Sequence, residues 1–163
     1  MSWASLLWAG VLASSVCLAQ HDPSAHSQHM ADVKKHGAEA MGFDQDKTTH
    51  HFRLYKDGGA VEVQANDPAD TASIGQIRDH LKEQAKKFAA GDFSAPQHAH
   101  GQVPPGADTM TRLRSQIRYE FKSTESGGRL RITTTDTRAL AAVHDFLRFQ
   151  IKDHATGDST RVE

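Results

Sequence analysis

The chain has 163 residues, with 19 Lys and Arg against 20 Asp and Glu, 11 His and a single Cys. A near-neutral charge lacks the clustered basic excess that a nucleic-acid groove needs, so nucleic acid is excluded as a partner. One Cys allows no intrachain disulfide, so a packed core must carry the fold, and at this length it can bury roughly two-thirds of the surface.

Residues 1–19 (MSWASLLWAGVLASSVCLA) carry no charged side chain and end in small residues. The segment is short for a membrane span, which takes roughly 20 apolar residues. It reads as a cleaved secretory signal peptide, which predicts a periplasmic or secreted protein with no membrane attachment after cleavage. All 11 His lie beyond it, at positions 21, 26, 29, 36, 50, 51, 80, 98, 100, 144 and 154. Residues 20–40 are polar and His-rich and read as a flexible arm. Its His26, His29, Met30 and His36 are candidates for a weak metal-scavenging site.

The remainder, 41–163, is expected to form a single domain. Phe52 and Leu54 alternate with Arg53 and Tyr55, then Val61 and Val63 with Glu62 and Gln64. Between them Lys56-Asp57-Gly58-Gly59 reads as the turn of a hairpin. Ile74, Ile77, Leu81, Ala85 and Phe88 recur at three- and four-residue spacings, which predicts a helix from about Thr71 to Ala90 stopped by Gly91. Residues 93–112 show neither period and read as a linker, either a spacer or a lid. Ile117, Tyr119 and Phe121, the pair Gly127-Gly128, and Leu130 with Ile132 then repeat the hairpin grammar. A second helix follows, capped by Asp136 or Thr137, with Leu140, Val143, Leu147 and Ile151 as its stripe and Phe146 beside it.

The repetition extends to residue identity. Residues 77–92 (IRDHLKEQAKKFAAGD) align without gaps on 143–158 (VHDFLRFQIKDHATGD), sharing Leu81 with Leu147, Gln84 with Gln150 and the closing Gly-Asp. One ββα unit used twice, over 50–92 and 113–158, is therefore predicted. Strands with one apolar and one charged face pack helices on one side only. The expected fold class is α+β: a four-stranded antiparallel sheet carrying two helices on one face.

Neighbouring side chains on a strand point to opposite faces, so His50 shares a face with Phe52 and Leu54 while His51 points the other way. His80 and His154 stand where the other copy has Phe146 and Phe88, on or beside each helical stripe. His144 stands in the place of Arg78, one position round, where a surface histidine is expected. In the linker, His98-x-His100 lets both rings approach one ion if the backbone is extended. Imidazole with thioether suits copper, and imidazole alone also suits zinc. The expected metal ligands are His50, His51, His100 and His154 with Met41 and Met110, and more weakly His98 and His144.

Catalytic signatures are missing: there is no G-x-S-x-G elbow, no H-E-x-x-H pair, and no Walker or Rossmann glycine pattern. No nucleotide or flavin is expected. Asp44 with Asp46 and Asp67 with Asp70 sit in polar turns, where capping explains them.

The strings MGFDQDKTTHHF (41–52), VPPGADTM (103–110) and FLRFQIKDHATGD (146–158) resemble a family of small exported bacterial proteins with no settled activity. Some members carry an aspartate carbamoyltransferase label. This chain has no Ser-Thr-Arg-Thr phosphate loop and about half the length of that enzyme's catalytic chain, so the label is not supported.

The leading functional expectation is an exported, non-catalytic protein that binds copper or zinc through His and Met. One alternative is a pH-responsive interaction module that forms a homodimer through a sheet edge. Another is an enzyme acting on a small molecule with His51 or His100 as general base, which requires a pocket lined by those rings.

Overall fold

The computed structural model describes residues 27, 28, 31, 35 and 41–163. The signal segment and the arm ligands His26, His29, Met30 and His36 lie outside the described residues.

Asp44 caps a 3-10 turn (Gln45–Lys47), and strand β1 (Thr48–Tyr55) follows directly. The chain turns through Lys56 and Asp57 into β2 (Gly58–Ala65). The second hairpin is β3 (Ile117–Ser123) and β4 (Gly127–Thr134). All pairings are antiparallel, in the order β1-β2-β4-β3, so the two hairpins join through β2 and β4 at the centre. Helix α1 (Thr71–Ala90) starts on an Asp70 cap that accepts from Ser73 N and ends at left-handed Gly91. Helix α4 (Thr137–Asp153) starts on Asp136, which accepts from Arg138 N and Ala139 N. Both helices lie on one face of the sheet, and the fold is α+β as the alternation predicts.

Each helix covers mainly the other unit's hairpin: α1 lies over β3 and β4, and α4 over β1 and β2. Equivalent residues therefore do equivalent work across the pseudo-symmetry. Leu147 of α4 sits over Gly59, and Leu81 of α1 over Gly128. Arg78 donates to the carbonyls of Thr124, Glu125 and Gly127 in the second turn. His144, its counterpart, donates from Nε2 to the carbonyls of Tyr55 and Gly58 in the first turn, at 2.9 and 3.0 Å. The expectation of a surface histidine at 144 is thus corrected. The ring is buried because each helix passes over the opposite hairpin, whose turn carbonyls need a donor.

Two further expectations are corrected. Gly127-Gly128 does not form the second turn but opens β4, and the first turn falls on Lys56 and Asp57 of the expected four residues, with Gly58-Gly59 opening β2. The linker is not structureless, because it holds two short helices, α2 (Ser94–His100) and α3 (Ala107–Arg112). Pro96 in the first turn of α2 needs no intrahelical N–H bond. Gly106 brings α3 against the Ala142 carbonyl of α4.

Beyond α4 the chain turns at Gly157 and runs along the outer edge of β1. Asp158 accepts from Phe52 N at 3.0 Å and pairs with His51 Nδ1 at 2.9 Å, while Glu163 N donates to the Leu54 carbonyl. Burial opposes the charged form of Asp158, but hydrogen bonds from Phe52, Thr156 and His51 outweigh it and hold the carboxyl below its usual range. The tail thereby covers an edge that would otherwise offer unpaired backbone groups. Asp158→Ala is expected to destabilise the protein by about 1–3 kcal/mol, the cost of leaving the Phe52 N–H and His51 without their charged partner. Urea unfolding measures it, and a change below about 0.5 kcal/mol would show that the tail is not holding β1.

Candidate functional site

Between the sheet and its helices lies a cavity of about 80 Å³. Its walls come from β1 and β2 (His50, Phe52, Val61, Val63), from α1 (His80, Leu81, Gln84, Phe88) and from α4 (Phe146, Gln150), with His154 at the end of α4. Helix α2 forms a roof with Ala95, Pro96, Ala99 and His100, and Met41 stands at one side. No Asp, Glu, Lys or Arg lines it. A mostly apolar concavity with a few convergent polar groups is the usual form of a ligand site.

The imidazoles gather at one end. The rings of His50 and His154 are parallel within 5°, with centroids 5.9 Å apart. His100 meets His154 edge-on at 4.9 Å. Phe43 packs against His50 and His80, and Phe52 against His154. Desolvation dominates this end. Burial, helped by His80 and His51, brings His50 down to about 4. Burial, with Lys87 nearby, brings His80 to about 4. Burial, then His100 and His50, brings His154 to about 3, against a smaller opposing pull from Asp153. All three rings are therefore neutral at pH 7, the form in which an imidazole lone pair is available. Nε2 of His50 is buried without a hydrogen-bond partner.

His100 is held differently. Its Nδ1 lies 2.5 Å from Asp153 Oδ2, and its Nε2 lies 2.9 Å from Gln150 Oε1. A ring that donates from both nitrogens carries a proton on each. With the Gln150 amide turned over, its NH₂ would donate to Nε2 and the ring would be neutral. In either orientation one atom of the Gln150 amide is left unpaired, and Oε1 of Gln84 is unpaired as well.

Of the residues proposed from sequence, His50, His100, His154 and Met41 share this cavity, and the others do not. His51 is on the opposite face of β1 with Asp158. His98 is exposed while His100 is buried, because α2 makes the segment helical and residues two apart on a helix do not face each other. His144 is committed to the first turn. Met110 is fully buried in the apolar core and is not part of the cavity wall.

Sequence reasoning singled out His80 beside its helical stripe without making it a ligand, and assigned no site role to Gln84, Gln150 or Asp153. The signal for the glutamines was present: the same polar residue recurs in both copies on a helical face that is otherwise apolar. Nothing in sequence spacing pointed to Asp153, which meets His100 only because α2 folds back onto α4. Among the described residues, no three His, Cys, Asp or Glu side chains already stand in position to hold a metal ion. No described helix is long and apolar enough to cross a membrane.

Fold and site together define a small two-layer α+β protein with a histidine-rimmed apolar cavity. No protein-family model matches the chain, and neither does any curated protein or solved structure.

Proposed function

We propose that the protein binds a transition-metal ion, copper first and zinc second, at the imidazole end of the cavity, with His50 and His154 as ligands. The observation that carries this reading is the spacing of those two rings. A metal sits about 2.0 Å from the ligating nitrogen and so about 3 Å from the ring centre, which places two rings on one ion about 5–6 Å apart. His50 and His154 stand 5.9 Å apart as stacked rings, so one ring turns about its side-chain bonds for both in-plane lone pairs to reach one ion. Met41 lines the same cavity and offers a thioether, and low-coordinate copper accepts imidazole with thioether. His100, oriented through Nδ1 by Asp153, supplies a third imidazole once Gln150 swings away from Nε2; a carboxylate behind a ligand histidine is a common supporting arrangement.

Titration of the protein with Cu(I) and Zn(II) is expected to show one equivalent bound with a dissociation constant below about 10 μM. His50→Ala and His154→Ala are each expected to weaken that equivalent at least about tenfold, as loss of one ligand does. His51→Ala, on the other face of β1, leaves it in place. Absence of such binding, or equal loss on His51→Ala, overturns the reading.

A further inference from the structure

The imidazole end does not account for two carboxamides in the cavity wall, one of which, Gln150, reaches that end through its bond to His100. Gln84 and Gln150 are 6% and 4% exposed, and each lines the cavity from the apolar face of its helix. They are equivalent in the duplication, yet the duplication does not pair them. Gln84 Oε1 has no hydrogen-bond partner, and neither does Gln150 Nε2. Each such atom costs about the desolvation penalty of a buried polar group, which a leucine or methionine at the same place would avoid. Gln150 Oε1 meets His100 Nε2, but neither that bond nor the surrounding Leu81, Phe88, Phe146 and Ile151 accounts for Gln84 or for the unpaired half of the Gln150 amide.

We infer that this wall recognises a small uncharged amide, of about the size of acetamide, whose N–H donates to one glutamine and whose carbonyl accepts from the other. Three features define the ligand class. No charged side chain lines the cavity, so a charged ligand would enter without a fixed counter-ion. One free acceptor and one free donor call for a ligand carrying both functions. The volume of about 80 Å³ restricts the occupant to a few heavy atoms, since a cavity of about 150 Å³ is what benzene fills. The phenyl rings of Phe52, Phe88 and Phe146 give a flat occupant apolar contact.

This inference does not rest on the metal reading, and its test is run on the full chain in the presence of a chelator, so the two stand or fall separately. The probes are acetamide and acetone, which share size and carbonyl and differ in the N–H. Binding is followed through the side-chain amide NMR signals of Gln84 and Gln150. Acetamide is expected to shift both signals and to bind about tenfold more tightly than acetone, the ratio that one additional satisfied buried acceptor supplies. Gln84→Met and Gln150→Met, each confirmed as folded by its NMR spectrum, are expected to remove that preference. Equal affinity for acetone and acetamide overturns the inference, as does a preference that survives in both variants. So does acetamide leaving the wild-type glutamine signals unmoved up to about 100 mM, the weak end expected for a four-atom ligand.

Discussion

Below pH 6.5 the metal-free protein is expected to lose stability steeply, well before its carboxylates titrate. In the unfolded chain, histidine takes up a proton near 6.5. In the folded protein burial lowers His50 and His80 to about 4 and His154 to about 3. Between those values the unfolded state binds more protons than the folded one, so stability falls as pH falls. The contribution of the neutral rings is complete above pH 6.5 and is lost progressively down to the folded values. Lowering one ring from 6.5 to about 4 corresponds to about 3 kcal/mol, and three such rings rival the whole stability of an ordinary domain, about 5–15 kcal/mol. Asp70, Asp92, Asp136 and Asp158 are also held below their usual range, but their contribution disappears only at lower pH. Urea unfolding with a chelator at pH 7.5, 6, 5 and 4 separates the two groups. The midpoint should begin to drop near pH 6.5, and His154→Phe, which copies Phe88 of the other unit, should flatten part of that drop. A midpoint constant from pH 7.5 to 5 would mean that these rings are not desolvated in the folded protein.

The elements were legible in the sequence because alternation and helical stripes report on a local contrast between wet and dry faces. Strand pairing within each hairpin, both long helices and the fold class followed from it. Long-range placement was not legible. Nothing in the spacing of Leu81 or Leu147 says that each helix crosses to the opposite hairpin, and that crossing decides the fate of His144. The clue was Arg78 at the equivalent position, since arginine and histidine share the ability to donate to carbonyls. The linker misled for another reason: seven-residue α2 and six-residue α3 are too short to display a period; α3 packs on α4, and α2 meets it through His100. Their helicity separates His98 from His100. At the candidate site, the strand pleat correctly separated His50 from His51, and the aromatic-for-histidine exchanges pointed to His80 and His154. The glutamines drew no attention because an apolar-stripe argument passes over the polar residues inside the stripe.

Replacing the first glycine of either pair is expected to have the largest effect of any single methyl addition in the sheet. A Cβ on Gly58 would stand 2.0 Å from the Ile132 carbonyl oxygen, and one on Gly127 would stand 2.1 Å from that of Val63. The two are the same contact seen from either side of the pseudo-symmetry, because Gly58 and Gly127 each open a strand, while Val63 and Ile132 are each the sixth residue of the partner. Backbone oxygens in a central ladder cannot move aside without breaking the β2–β4 pairing that joins the two halves. Gly58 adds a φ of +145°, which side-chain-bearing residues rarely adopt. Gly58→Ala is therefore expected to cost about 4 kcal/mol or more, and Gly127→Ala somewhat less, about 3 kcal/mol, since its backbone is not in that region. Gly75→Ala provides the contrast. It lies in α1 with open space where the methyl would go, and is expected to stabilise by up to about 1 kcal/mol through helix propensity. Thermal and urea unfolding of the three variants decide the matter. A Gly58→Ala protein with wild-type stability would show that β2 and β4 do not meet in this register, and the shared wall of the cavity, built on Val61, Val63 and Leu130, would fall with it.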